Sequence, residues 1–218
     1  MKRVSRYSLF LFFCVFLLVS LGGCTKTYYN IMESAGIPKR DILVDRVEDG
    51  RDAQQRAQKQ FQSALEQFDS VVKLEETDLK KAYDKLNKEY EKSKKAADDV
   101  STRIEKIESV ADALFDEWKD EMDEYESKSL RRSSEEKLKS TKVRYKNMLS
   151  SMKEAEKTME PVLKIFHDNV LFLKHNLNAQ AIGSLQSEFS NLEGQISELM
   201  KSMNVAIDSS NKFLADLK

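Results

Sequence analysis

The sequence predicts an all-α protein: an elongated antiparallel bundle or coiled coil of about four long helices, following a short N-terminal segment that is removed. Three observations carry this expectation. Apolar residues recur in alternating steps of three and four over most of the chain, which is the spacing of one helix face. Turn-forming residues are scarce: 218 residues include 6 Gly and 2 Pro, and Gly22 and Gly23 fall in the removed segment, so the helices must run long. Charged residues make up 33% of the chain with both signs interspersed, as on solvated helix faces.

The first element is MKRVSRYS followed by the apolar run Leu9–Leu21, interrupted only by Ser20. A helix needs about 20 apolar residues to cross a bilayer, whereas an export signal needs about 7 to 15 after a basic start. Lys2, Arg3 and Arg6 supply that basic start, so residues 1–23 read as a cleaved signal peptide. Leu21-Gly22-Gly23-Cys24 resembles the lipobox of bacterial lipoproteins, with Gly22 departing from the usual Ala or Ser. The resemblance implies that the Cys24 thiol carries diacylglycerol, that cleavage falls before it, and that the new amine is acylated. Two or three acyl chains hold a protein firmly where one does not. Thr25 stands where an Asp would favour inner-membrane retention in enterobacteria, so the same resemblance implies an outer-membrane protein facing the periplasm. Cys14 leaves with the signal, and a lone mature cysteine excludes an internal disulfide.

Residues 24–44, with Gly36 and Pro38, show no sustained period and are expected to form a lipidated tether. The helical domain then spans 45–218. Ala53, Ala57, Phe61, Ala64, Phe68 and Val71 mark a first helix over Asp45–Leu74, ended by a turn at Glu75–Asp78. Leu79, Leu86, Val100, Ile104, Ile107, Leu114 and Trp118 belong to a second, longer seam that reaches Tyr125. Ser133 and Glu136 fit a capping box for the third helix, whose seam passes Tyr145, Met148, Met152, Met159, Val162, Phe166 and Leu173. Pro161 lies inside it, and because the apolar phase continues across the proline a kinked single helix is expected. A turn at Asn176–Asn178 leads to the last seam, Leu185 to Leu217. Long helices joined by short turns must fold back on one another.

Val170, Leu171, Phe172 and Leu173 are four consecutive apolar residues and so cover every side of a helix. Two readings stay open. Either the helix is surrounded by three neighbours there, or the stretch is a docking surface for a partner or a second copy. Exposure of Leu171 and Phe172 distinguishes them.

Chemistry is thinly represented. The net charge of −1, with no basic stripe, gives no reason to expect nucleic acid. His167 and His175 lie eight residues apart, about 12 Å along a helix, too far to share a metal. The stretch DRVEDG, Asp45–Gly50, fails as a calcium loop because Val47 and Arg56 occupy ligand positions. No nucleotide-binding G-x-x-x-x-G-K-[ST] loop exists. An enzyme, a metal or a cofactor is therefore not expected. Lys218 resembles the terminal lysine by which the murein lipoprotein of enteric bacteria is joined to peptidoglycan, but the preceding Tyr-Arg is missing; its other reading is a cation complementing a helix C-terminus.

LRRSSE at Leu130–Glu135, MEPVL at Met159–Leu163 and LFLKHNLNAQAI at Leu171–Ile182 resemble a family of proteobacterial predicted lipoproteins classed as a domain of unknown function, over nearly the whole mature chain. The resemblance implies no activity. The expectation is a membrane-anchored envelope lipoprotein acting as scaffold, spacer or adaptor, through contacts with an envelope protein or with itself. The alternative is a periplasmic binding module that holds a lipid or peptide between helices, lined by the region Val162–Leu177.

Overall fold

A computed structural model describes residues 24–73, 79–176 and 179–217. The expected signal peptide, residues 1–23, the expected turn at Glu75–Asp78, residues 177 and 178 of the expected turn at Asn176–Asn178, and Lys218 lie outside the described residues. Among the described residues there are five α-helices: α1 (Cys24–Ser34), α2 (Lys39–Val72), α3 (Leu79–Asp120), α4 (Lys128–His175) and α5 (Ala179–Leu217), with a 3-10 turn at Glu121–Glu124 between α3 and α4. The described residues contain no strand. The all-α bundle is as expected, with one helix more than four.

The four long helices of 34, 42, 48 and 39 residues are about 50 to 70 Å long at 1.5 Å per residue. Each packs on its sequence neighbour, and α2 closes the ring against α5. Up-down-up-down order makes every adjacent pair antiparallel, so the chain forms a four-helix bundle with one axial core.

The predicted seams fill that core. Phe61, Phe68, Leu86, Ile104, Ile107, Met148, Met152, Met159, Leu173 and Leu185 are among its fully buried side chains. Near one end the rings of Phe68, Phe166 and Phe189 come together, with centroids 5.8 and 6.0 Å from Phe68, and Tyr90 adds a further ring at 6.5 Å from Phe166. Toward the other end Tyr145 sits between Phe115 and Phe213, 5.3 and 6.2 Å away. Burial there pushes the Tyr145 phenol far above its ordinary value. Between these aromatic layers, side chains of α3 and α4 press directly against the backbone of α2 at Gly50. A Cβ built there would stand 2.8 Å from Ile107 Cδ1 and 2.9 Å from Met152 Cε.

Ion pairs tie the outer rims. Arg103 reaches Asp49 at 2.8 Å and Asp99 at 3.2 Å, while Arg56 reaches Asp99 at 3.0 Å, stitching α2 to α3. Burial alone would raise the Asp99 carboxyl, but hydrogen bonds from these two guanidiniums outweigh it and hold the group below its ordinary value. Inside the core, Ser93 is buried within 3.4 Å of Gln60 Nε2. Asn169 Nδ2 donates to the Ile165 carbonyl one turn back at 2.7 Å, which satisfies a polar seam position locally.

Three boundaries differ from expectation. Residues 24–44, expected to be an irregular tether, hold α1 and the start of α2. Gly36, at φ 84°, ends α1, where Gly36 N–H donates to Glu33 O and Ile37 N–H to Met32 O, the paired bonds of a glycine-stopped helix. Pro38 then starts α2 at Lys39, six residues before the expected Asp45, because its carbonyl accepts from the Asp41 and Ile42 amides and Leu43 is drawn into the core. The third boundary is that of α4. Its cap is Ser127, whose Oγ accepts from the Leu130 amide at 3.4 Å, not the expected Ser133–Glu136 box. The 3-10 turn ends α3 early enough for α4 to begin sooner. Pro161 lies on the exposed side of a continuous α4, and Met159 and Val162 on either side of it stay buried.

The Gly50 approach makes a sharp prediction. Gly50→Leu should overpack the layer and cost about 1 to 3 kcal/mol. Gly50→Ala should stay within about 1 kcal/mol of the parent, because the atoms it meets are the mobile ends of Ile107 and Met152 and alanine is the better helix former. Chemical denaturation of the two variants checks both.

Candidate functional site

The topology sorts the surface into two ends. The starts of α2 and α4 and the ends of α3 and α5 lie together with α1, and the opposite end carries the end of α4 and the start of α5. Nine large apolar side chains are exposed among the described residues. Tyr28, Ile31, Ile37, Tyr125 and Leu130 stand at the α1 end and Leu171 and Phe172 at the other, which leaves only Val143 and Val205 between.

At the far end the Val170–Leu173 stretch divides. Val170 and Leu173 are core residues, whereas Leu171 is 44% and Phe172 39% exposed. The reading of a helix enclosed by three neighbours therefore gives way: α4 lies beside α3 and α5, meets α2 only across the core, and leaves Leu171 and Phe172 bare on its outer side. Phe172 borders a surface groove of about 570 Å³ between α4 and α5, shared with Ile165, Asp168, Asn169, Ser187 and Asn191. This groove lies outside the core. Phe166 and Leu173, which a ligand-holding interior would have to expose, are buried against the neighbouring helices. His167 is half-exposed, with its ring 5.3 Å from that of Tyr90 and Nδ1 3.6 Å from Asp168.

At the near end α1 is clasped to the bundle. Tyr29 is buried, and its hydroxyl lies 3.2 Å from Ser109 Oγ on α3. Lys39, only 4% exposed, donates to both Glu33 of α1 and Glu117 of α3. The two carboxylates share one ammonium and respond oppositely. The hydrogen bond from Lys39 holds the Glu33 carboxyl below its ordinary value, whereas burial raises Glu117 and the Glu33 contact adds to the rise. Burial alone would lower Lys39, yet its bonds to Glu117 and Glu33 prevail and raise it. No sequence signal distinguished this lysine, because a lysine beside a proline at a helix start reads as surface.

A second recess of about 350 Å³ at this end is lined in part by Arg40, Trp118, Thr141 and Arg144. Its guanidiniums are already engaged: Arg40 donates to the Leu217 carbonyl, and Arg144 lies 3.3 Å from Asp216. Trp118 Nε1 donates to Ser134 Oγ at 2.8 Å and fastens α3 to α4. Cys24 is the first residue of α1. Among the described residues no helix is long and apolar enough to cross a membrane, and no group of three metal-ligating side chains converges.

A family model described as "Protein of unknown function (DUF2959)" matches residues 28–217, from the second turn of α1 to the end of α5. No curated protein and no solved structure matches the chain.

The Lys39 clasp is testable by exchange. Charge-assisted hydrogen bonds of this kind contribute about 1.5 to 3 kcal/mol, so Lys39→Met should speed amide exchange over Tyr29–Glu33 by roughly tenfold or more. Protection in the middle of α3 should be unchanged. Hydrogen–deuterium exchange read by mass spectrometry separates the two segments.

Proposed function

The chain belongs to the DUF2959 family of proteins of unknown function, and we propose that it is a cell-envelope lipoprotein, anchored through acylated Cys24, whose helical body works as a spacer or adaptor. The observation that supports this most directly is the separation of its two apolar ends. Cys24 opens the helix clasped to one end, and Leu171 and Phe172 stand bare at the other. From Lys128 to Phe172 the chain is one helix, so about 65 Å of rod lies between them at 1.5 Å per residue. The filled axial core supports a rigid reach. A lipid tail or peptide held between helices fits less well, because the layer around Phe166 is occupied by Phe68, Phe189 and Tyr90.

In this reading the Cys24 anchor places α1 at the outer membrane with the body in the periplasm, and the Leu171–Phe172 patch with its neighbouring groove meets an envelope protein. Asp168 and Glu188 beside that patch favour a partner surface that offers cationic or hydrogen-bond-donating groups around an apolar centre.

Two measurements test the two halves. Cys24→Ala should abolish palmitate labelling and release the protein from the membrane fraction; persistent labelling would show that the anchor is elsewhere. A photo-crosslinking amino acid at position 172 should capture an envelope protein that the same probe at Val205 does not. Adducts of the chain with itself alone would replace the adaptor with a self-associating spacer.

A further inference from the structure

We infer that α1 is a membrane-interface helix: the face formed by Tyr28, Ile31 and Ala35, in register with Cys24, lies in the headgroup layer of the bilayer and sets the direction in which the bundle stands. The inference deepens the anchored reading above and rests on it for the position of the membrane.

The residues of α1 fall on three sides. Successive residues turn about 100°, so Cys24, Tyr28, Ile31 and Ala35, spaced by four, three and four, fall within about 60° of one another. Tyr29, Met32 and Glu33 form a second side, and these are the residues that α1 commits to the bundle through the core, Ser109 and Lys39. Asn30 and Ser34 occupy a third, polar side. Among the described residues the first side is left uncovered. Tyr28 is 43% and Ile31 62% exposed, Ala35 is exposed, and Ile37 just beyond the helix adds another bare apolar side chain. Tyr28 packs edge-on against buried Tyr29 at 5.3 Å, which braces its ring on the outward side.

The length and position of this helix select its occupant. Eleven residues span about 16 Å, half the thickness of a bilayer core, so α1 lies along a membrane and does not cross it. The apolar run Leu9–Leu21 ends three residues before Cys24. Whether that run is removed after acylation or retained, it brings the lipid to the first turn of α1. An aromatic ring with a hydroxyl and a bulky aliphatic chain one turn apart are the side chains that partition into the boundary between headgroups and acyl chains. Because Tyr29 and Lys39 clasp the adjacent side of α1 to α3, inserting this face couples the orientation of the whole bundle to the membrane plane. A lipid tether alone would leave it free to swivel.

Acylated full-length protein tests this, purified from membranes with single cysteines at Ile31, Asn30 or Leu171, each labelled with an environment-sensitive fluorophore and reconstituted into phosphatidylethanolamine–phosphatidylglycerol vesicles. Palmitate labelling of each preparation reports the anchor separately. Lipids brominated on their acyl chains should quench the Ile31→Cys label by more than about half, and the Asn30→Cys label, on another side of the same turn, several-fold less. The Leu171→Cys label at the far end should be unaffected. Tyr28→Cys, on the same face, should repeat the Ile31 result if the first label disturbs its site. Quenching equal at 30 and 31, or absent at 31 and 28 in palmitate-labelled protein, overturns the interfacial helix and leaves the anchor intact. Unacylated protein that still shows the 31-over-30 contrast would support the interfacial helix and reject the anchor. Unacylated protein without that contrast rejects both.

Discussion

Everything in this protein depends on one axial core, supplied a single side chain at a time. Each long helix delivers an apolar residue every three or four positions, and four helices must deliver theirs at matching heights for a layer to close. Gly50 shows how tightly the heights are matched, because the space its missing side chain leaves is filled by Ile107 from α3 and Met152 from α4. Four of the chain's eight methionines, Met148, Met152, Met159 and Met203, are fully or almost fully buried. Their unbranched side chains fill whatever gaps the ring of helices leaves. The aromatic and methionine layers fill this core, and the two recesses described above lie outside it, toward the two ends.

The near end obeys a different physics. There the apolar seam gives way to a buried lysine between two carboxylates, a tyrosine hydroxyl beside a serine, and an arginine on a helix-terminal carbonyl. These interactions are directional where the seam is not. The lysine and tyrosine contacts hold the short α1 on the rod through specific partners, which nonspecific burial of one tyrosine would not do, and the arginine joins the start of α2 to the end of α5. Gly36 makes the arrangement possible by stopping α1 in a left-handed turn that any larger residue would strain.

The sequence pattern revealed the parts of the fold that repeat. The seam from Leu185 to Leu217 corresponds to α5 almost residue for residue, and Leu79 begins α3 as read. Features that occur once were not legible. α1 is too short to display a period, and the apolar residues of its two faces, one buried and one bare, blur into an aperiodic stretch. Ser127 and Ser133 are both plausible caps, and only the 3-10 turn upstream decides between them. The Val170–Leu173 stretch was legible as unusual, but a run that covers every side of a helix does not say which side is bare. That depended on the ring order of helices, with α4 beside α3 and α5 and Leu171 and Phe172 bare on its outer side. Lys39 carried no signal, since its two partners lie 6 and 78 residues away.

The antiparallel ring also has a mechanical consequence. A pull applied at α1 and resisted at the end of α4 enters and leaves at opposite ends of the same core, so it acts along the helices and not across them. Helices loaded in this way slide past one another only when many layers slip together, whereas helices peeled from one end separate layer by layer. The same packing that joins the two ends therefore makes the rod strongest in the direction in which a tethered strut would be stretched.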